Sequence, residues 1–401
     1  MFDAIVVGAR CAGSSVATHL ARAGHRVLLL DRDTFPSDMT MSTHTIHQRG
    51  IACLTRLGLR GEIVATGAPP IDAFSLDFGE VRLAAKAPAV DGERFAFSPR
   101  RILLDHVLVR AAVRAGAELR EGCRVLGVTA DGGRVTGVRA STPTGGTFSE
   151  TARWVIGADG PASTVAKSVG APEYAEKPAY SGTAWIYWDG VPLTEVDIHL
   201  RDGEAVYGFP TSGGTLVGIN LVMDRFRAAR GELEKQYLEL VARHAPELRE
   251  KLSTARRADE RLYLGSTRNF FRKAHGPGWI LLGDAHYKKD PCTAQGITDA
   301  LADAELLAAS LGRVLRGEAD AAQELDAYER ARVEFAMPFY ELTTQMAPFA
   351  PPPPEMLALQ AALEERPEDV PGFVGMITEA VSPAEFLAPA NVARILGLSP
   401  A

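Results

Sequence analysis

Phe2-Asp3-Ala4-Ile5-Val6-Val7-Gly8-Ala9-Arg10-Cys11-Ala12-Gly13 opens the chain with an apolar run that breaks at a glycine and reaches a second glycine shortly afterwards. Residues 4–7 read as a short buried strand, and residues 12–23 carry apolar side chains at helical spacing as far as Gly24. Residues 26–30 form a second apolar run, ending in Asp31. Strand, tight turn, helix and strand make a βαβ unit, which demands a parallel sheet and a right-handed crossover. Gly8 permits the sharp turn, and Gly13 lets helix and strand pack closely. The helix start at Cys11 and Ala12 offers free N–H groups and positive dipole to a pyrophosphate. Asp31, with Arg32 beside it, follows Gly8 by about 20 residues, the spacing of a ribose-binding carboxylate. One position departs from the fingerprint: Arg10 stands where a glycine normally lets the backbone approach the phosphates. Its charge can serve a phosphate or face solvent.

Outward from this unit, residues 102–115 read as a helix closed by Gly116. Runs at 124–130 and 134–140 are strands joined by Asp131-Gly132-Gly133, a hairpin signal. Residues 153–156 and 279–282 are buried strands, each running into Gly and then Asp, and 297–315 is a long amphipathic helix. Segments 71–97 and about 180–225 read as hairpins with aromatic content, and 232–245 as helical. These read as an antiparallel sheet inserted into the nucleotide-binding fold. The last seventy residues look helical, interrupted by a stiff connector at Pro351 to Pro354.

The 401 residues exceed what one core usually absorbs, so two domains and a tail are expected. A net charge of −7, from 50 acidic and 43 basic residues with no long basic run, argues against nucleic acid as a partner. Cys11, Cys53, Cys123 and Cys292 lack metal-ligand spacing, so the reading is buried thiols in a reducing compartment and no metal. The chain enters a strand at once, leaving no room for a signal peptide, and no apolar run approaches the roughly 20 residues of a membrane span. A cytoplasmic protein is expected, monomeric or homodimeric.

Two further segments sharpen the fingerprint. Gly157-Ala158-Asp159-Gly160-Pro161-Ala162-Ser163-Thr164-Val165 resembles the Asp-Gly motif of the flavin-dependent (class A) monooxygenases related to p-hydroxybenzoate hydroxylase. Gly283-Asp284-Ala285, followed by Pro291 and Gln295-Gly296-Ile297, resembles their Gly-Asp motif. The order of the three motifs is the family's, and they cover roughly residues 1–330. The resemblance implies an α/β fold: a Rossmann-type FAD-binding domain with three β/β/α layers, built from 1–70, 98–179 and 265–330. A substrate-binding sheet domain follows from 71–97 and 180–264, and a helical C-terminal segment from 331–401. It further implies that Asp284 accepts a ribityl hydroxyl and that Pro291, Gln295, Gly296 and Ile297 lie beside the isoalloxazine. Asp159 and Gly160 would support the FAD pocket, with Val125 nearby, Arg101 near the phosphates and Arg49 touching the flavin. The sequence departs from the family at Lys167, where an Arg is usual, and in the charge-rich Ala285-His286-Tyr287-Lys288-Lys289-Asp290 loop.

By the same resemblance, NAD(P)H would bind transiently and reduce FAD, O2 would add at flavin C4a, and the distal oxygen would pass to an aromatic or other electron-rich small molecule. The substrate would lie between the flavin and the inserted sheet, against Trp185, Tyr187, Trp188, Tyr207, Phe209 and Pro210. His44 and His47, in the loop before the first connecting helix, are candidate acid–base groups. Three rival readings share the fold: a flavin-dependent halogenase, a geranylgeranyl reductase-like alkene reductase, and a non-catalytic flavin-binding or sensing protein. The halogenase signature Trp-x-Trp-x-Ile is not matched by the spacing of Trp185-Ile186-Tyr187-Trp188, and nothing local supports Lys86 as the halogenase lysine.

Overall fold

Glycines at 8 and 13 set the geometry of the first layer. In the computed structural model, which describes residues 1–229 and 231–398, Gly8 has φ +98°, and a Cβ on Gly13 would lie 1.8 Å from the Gly8 carbonyl oxygen. Only glycine allows the Cys11–Arg22 helix to lean so closely on the turn. The Phe2–Val7 strand lies parallel between Val27–Leu30 and the end of Thr147–Gly157, with Ala4 opposite both Val27 and Trp154. Glu118–Arg120 and Trp279–Leu281 extend this parallel sheet on its two sides. The Thr147–Gly157 strand serves two partners, because its first half pairs antiparallel with Arg134–Ser141, itself in a hairpin with Arg124–Asp131. The helices Cys11–Arg22, Gln48–Arg56, Arg101–Arg114 and Gly296–Leu315 cover one face through a core that includes Val6, Val16, Leu29, Leu104 and Leu301. The hairpin covers the other through Ile5, Leu28, Val138 and Val155. Helices, sheet and hairpin form the three β/β/α layers that the motifs imply.

The second sheet runs Arg256–Arg257, Ser181–Asp189, Gly214–Val222, Glu204–Thr211, Val196–Arg201, Ala73–Asp77, Arg82–Lys86, with Tyr263–Ser266 also on Ser181–Asp189. It departs from the expected antiparallel pattern at one seam: Ala73–Asp77 and Val196–Arg201 pair parallel, the contact that joins the early hairpin to the later strands. Both faces are covered. Trp185, Tyr187, Tyr207 and Phe209 pack toward the C-terminal helices Pro354–Glu364 and Val370–Ile377. Ala184, Ile186 and Trp188 pack against Tyr237 and Leu240 of Leu233–His244. A third sheet, not foreseen from the sequence, joins Glu173–Lys177, Asn269–Arg272 and Tyr287–Lys288. The Ala321–Met346 helix then runs across the Gly296–Leu315 helix. Among the described residues, no helix is long and apolar enough to cross a membrane.

Candidate active site

A cleft of about 530 Å³ runs along the ends of the parallel strands. Gly8, Arg10, Cys11 and Ala12 line it at the first turn, with Asp31 and Arg32 at the end of the second strand. Arg101, Val125, Asp159 and Gly160 form one side. Asp284, Pro291, Gly296 and Ile297 form the far end. The motifs scattered through the sequence thus converge on one space. Both helices that start there, Cys11–Arg22 and Gly296–Leu315, lack a side-chain cap, so their first N–H groups are left for a ligand. Two uncapped N-termini, with the Asp31 carboxylate beside the first, fit a long, anionic dinucleotide such as FAD.

Several side chains carry constraints of their own. Asp31 accepts the Ala9 N–H at 2.6 Å and the Asp33 N–H at 2.8 Å, and burial pushes its pKa up all the same. Asp159 accepts the Ser163 hydroxyl at 2.5 Å and the Thr164 N–H at 2.6 Å, holding the start of the Thr164–Val169 helix. Arg10 neither faces solvent nor stands free for a phosphate. Its guanidinium is tied to Asp105 and, at 2.8 Å, to Asp33, and Arg101 donates to Asp105 at 3.0 Å. Lys167 is exposed.

Three expected cofactor residues lie off the cleft. Gly13 is consumed in helix–strand packing. Arg49 turns toward the C-terminal segment, pairing with Glu379 at 3.3 Å and lying over the Phe335 ring at 3.7 Å. Gln295 is buried, and its amide donates to the Ile377 carbonyl at 2.8 Å. In both cases the expectation is corrected by the C-terminal helices, whose position the sequence did not reveal.

The charge-rich loop is accounted for by pairing. Lys288 meets Asp284 at 2.6 Å; Lys289 meets Asp299 at 3.0 Å and Glu379 at 3.4 Å. Asp290 accepts the Cys292 N–H at 3.1 Å, and burial raises its pKa to about 6. Arg332 completes a buried network, meeting Asp299 at 3.1 Å and contacting Asp303. Burial works against ionisation of Asp299, yet Lys289 and Arg332 hold its pKa at about 2; burial drives Asp303 up to about 6. Arg272, which carries no motif, ties the Asp159 and Asp284 loops together by donating to the Pro161 and Ala285 carbonyls, each at 2.9 Å.

Beside the cleft lies a small chamber of about 60 Å³, walled by Phe74, Leu76, Val196, Ile198, Tyr207 and Phe209 from the second sheet and closed by Met346, Phe349 and Ile377. Thr43, Thr45, Pro291 and Ala294 line both spaces and form their shared wall. Tyr207 and Phe209, two of the expected substrate residues, line this chamber. Pro210 is buried within its strand and does not line the chamber. Trp185 and Tyr187 lie on the same sheet face but in the core, Trp185 stacked on Tyr263. Trp188 is corrected outright: side chains alternate along a strand, and the odd positions 185 and 187 send Trp188 to the opposite face, where its indole N–H donates to Tyr237 at 3.0 Å. Lys86 is exposed and pairs with Asp72 at 2.8 Å, lining neither space.

The two histidines separate. His44 (φ 70°) lines the cleft and hydrogen-bonds the Tyr187 hydroxyl, over whose ring Arg100 lies at 3.9 Å. His47 lines the chamber, and its Nε2 meets the Thr293 carbonyl at 3.1 Å. Burial, with Lys289 adding to it, lowers the His47 pKa to about 4. Thr43, Thr45, Arg272 and Arg332 were missed from the sequence, because nothing local distinguishes them from surface residues.

A Rossmann-type cleft with a walled chamber beside it is the architecture of an FAD-dependent oxidoreductase. The chain belongs to the FAD binding domain family, whose model matches residues 1–343, within the class A flavin-dependent oxidoreductase superfamily. It is 26% identical to the tryptophan 2-halogenase of Chondromyces crocatus over 81% of this chain, and spans 64% of that relative's length. It is also 26% identical to the rifampicin monooxygenase of Streptomyces venezuelae, over 91% of this chain and 76% of the relative. Among solved structures, the flavin-dependent brominase Bmp2 superposes with a TM-score of 0.82 at 18% identity, covering 99% of this chain and 98% of that one.

Proposed function

We propose that this protein is an FAD-dependent monooxygenase that takes reducing equivalents from NAD(P)H and inserts one oxygen atom of O2 into an aromatic or other electron-rich small molecule. The observation that carries the reading is the wall shared by the cofactor cleft and the apolar chamber, at Thr43, Thr45, Pro291 and Ala294. Bound FAD supplies two-electron redox chemistry and the activation of O2. The chain holds the cofactor at Asp31, Asp159, Asp284 and the two helix N-termini. It orients the substrate against Tyr207 and Phe209, and excludes water with Met346, Phe349 and Ile377. Similarity to a rifampicin monooxygenase over most of the chain supports the reading.

The halogenase reading has the tryptophan 2-halogenase similarity in its favour. Against it, no lysine lines the chamber among the described residues, and Lys86 points to solvent. A chamber of this size also argues against a long polyprenyl substrate.

The test is oxidation of NADH and NADPH by the FAD-loaded protein with phenols and indoles, using isotopically heavy O2 and bromide or chloride in parallel. The proposal expects substrate-stimulated oxidation with heavy oxygen in the product. A halogenated product, or no reduction by either nicotinamide, overturns it.

A further inference from the structure

We infer that the molecule bound in the chamber is an uncharged aromatic that donates one O–H or N–H to Nδ1 of His47. This rests on the oxygenase reading for the use of the site, and names the class of substrate it takes.

The walls exclude charge. Among the described residues no Asp, Glu, Lys or Arg lines the chamber, and the nearby Lys289 and Asp299 are occupied with one another at 3.0 Å. An ion entering this space would lose its hydration without gaining a counter-charge. Thr183, Tyr207 and Thr293 on the walls are satisfied by protein partners, whereas the Thr43 and Asn220 side chains also face the chamber and make no hydrogen bond among the described residues. Thr183 donates to the Ile219 carbonyl at 3.0 Å, so at 2.6 Å the Tyr207 hydroxyl is the donor to Thr183. Thr293 pairs with Thr343 at 3.1 Å.

His47 differs from these in being a buried acceptor. Its partner at Nε2 is a carbonyl, which can only accept, so the ring proton sits on Nε2. Nδ1 then carries a bare lone pair, and it has no partner although the residue is only 2% exposed. The ring is neutral at physiological pH, as its pKa of about 4 requires. A buried acceptor left unmade is costly, and a ligand hydroxyl or ring N–H removes that cost where an ether or N-methyl group cannot.

The experiment is calorimetric binding to the FAD-loaded protein without nicotinamide, comparing phenol with anisole, indole with N-methylindole, and phenol with 4-hydroxybenzoate. We expect the donor of each neutral pair to bind about tenfold more tightly than its methylated counterpart, and 4-hydroxybenzoate to bind at least about tenfold more weakly than phenol. His47→Phe brings the phenol-to-anisole ratio to about one. Equal affinities within both neutral pairs, binding of 4-hydroxybenzoate as tight as phenol, or no heat from any probe at millimolar concentration overturns the inference. The wild-type panel decides by itself if His47→Phe does not fold. Because no turnover is involved, a preserved donor preference without oxygen insertion counts against the oxygenase reading alone.

Discussion

At position 10 an arginine replaces the glycine that usually brings backbone to a pyrophosphate, and its side chain shows what the exchange does. The guanidinium is held by Asp33 and Asp105, so it braces the turn from the side. Such residues were half legible. Gly8, Gly13 and Asp31 declared themselves because each answers a local demand of the turn. Arg49 and Gln295 did not, because their partners Glu379 and Ile377 lie 330 and 82 residues away along the chain. His286 shows another contribution invisible in sequence. It is fully buried beside Arg332, and burial first, then that arginine, lowers its pKa to about 3. An unfolded histidine takes up a proton near pH 6.5, which the folded one refuses until about 3. Stability from this residue is therefore present above 6.5 and lost as pH falls. Relative to His286→Leu, the wild type should lose about 1.4 kcal/mol per pH unit between pH 6 and 4.5. Urea midpoints of both proteins across that range check this; a difference that does not change with pH contradicts it.

At the scale of elements, the period-2 alternation of the Ser181–Asp189 strand decides which aromatics look toward the chamber side, and it corrects Trp188. The alternation itself was legible; which parity faces the C-terminal helices was not, since both faces are buried and equally apolar. The Gly296–Leu315 helix has a different problem. It presents Asp299 and Asp303 to a buried layer, and Arg332 of the Ala321–Met346 helix answers both. Removing one partner of a buried ion network leaves the others desolvated and unpaired. Arg332→Leu should lower stability by about 3–5 kcal/mol, and adding Asp303→Leu should recover part of that loss. Denaturant unfolding of the FAD-loaded single and double variants measures it. A single variant within about 1 kcal/mol of wild type would contradict the ion-network account.

At the scale of the molecule, three motif segments between residues 8 and 297 are gathered by the parallel sheet onto one cleft. Because the motifs are local, the cleft was almost wholly legible in the sequence. The chamber was legible only as an aromatic sheet nearby. Its closing wall, Met346, Phe349 and Ile377, comes from a C-terminal segment whose helices could be read but whose docking could not. The third sheet escaped notice because two of its strands have only four and two residues. On the function proposed above, cofactor and substrate meet at Thr43, Thr45, Pro291 and Ala294. The most direct test is a crystal structure of the FAD complex. The isoalloxazine is expected against that wall, with the adenosine ribose at Asp31. A flavin whose ring lies away from that wall, with the chamber cut off from it, would contradict the shared-wall proposal.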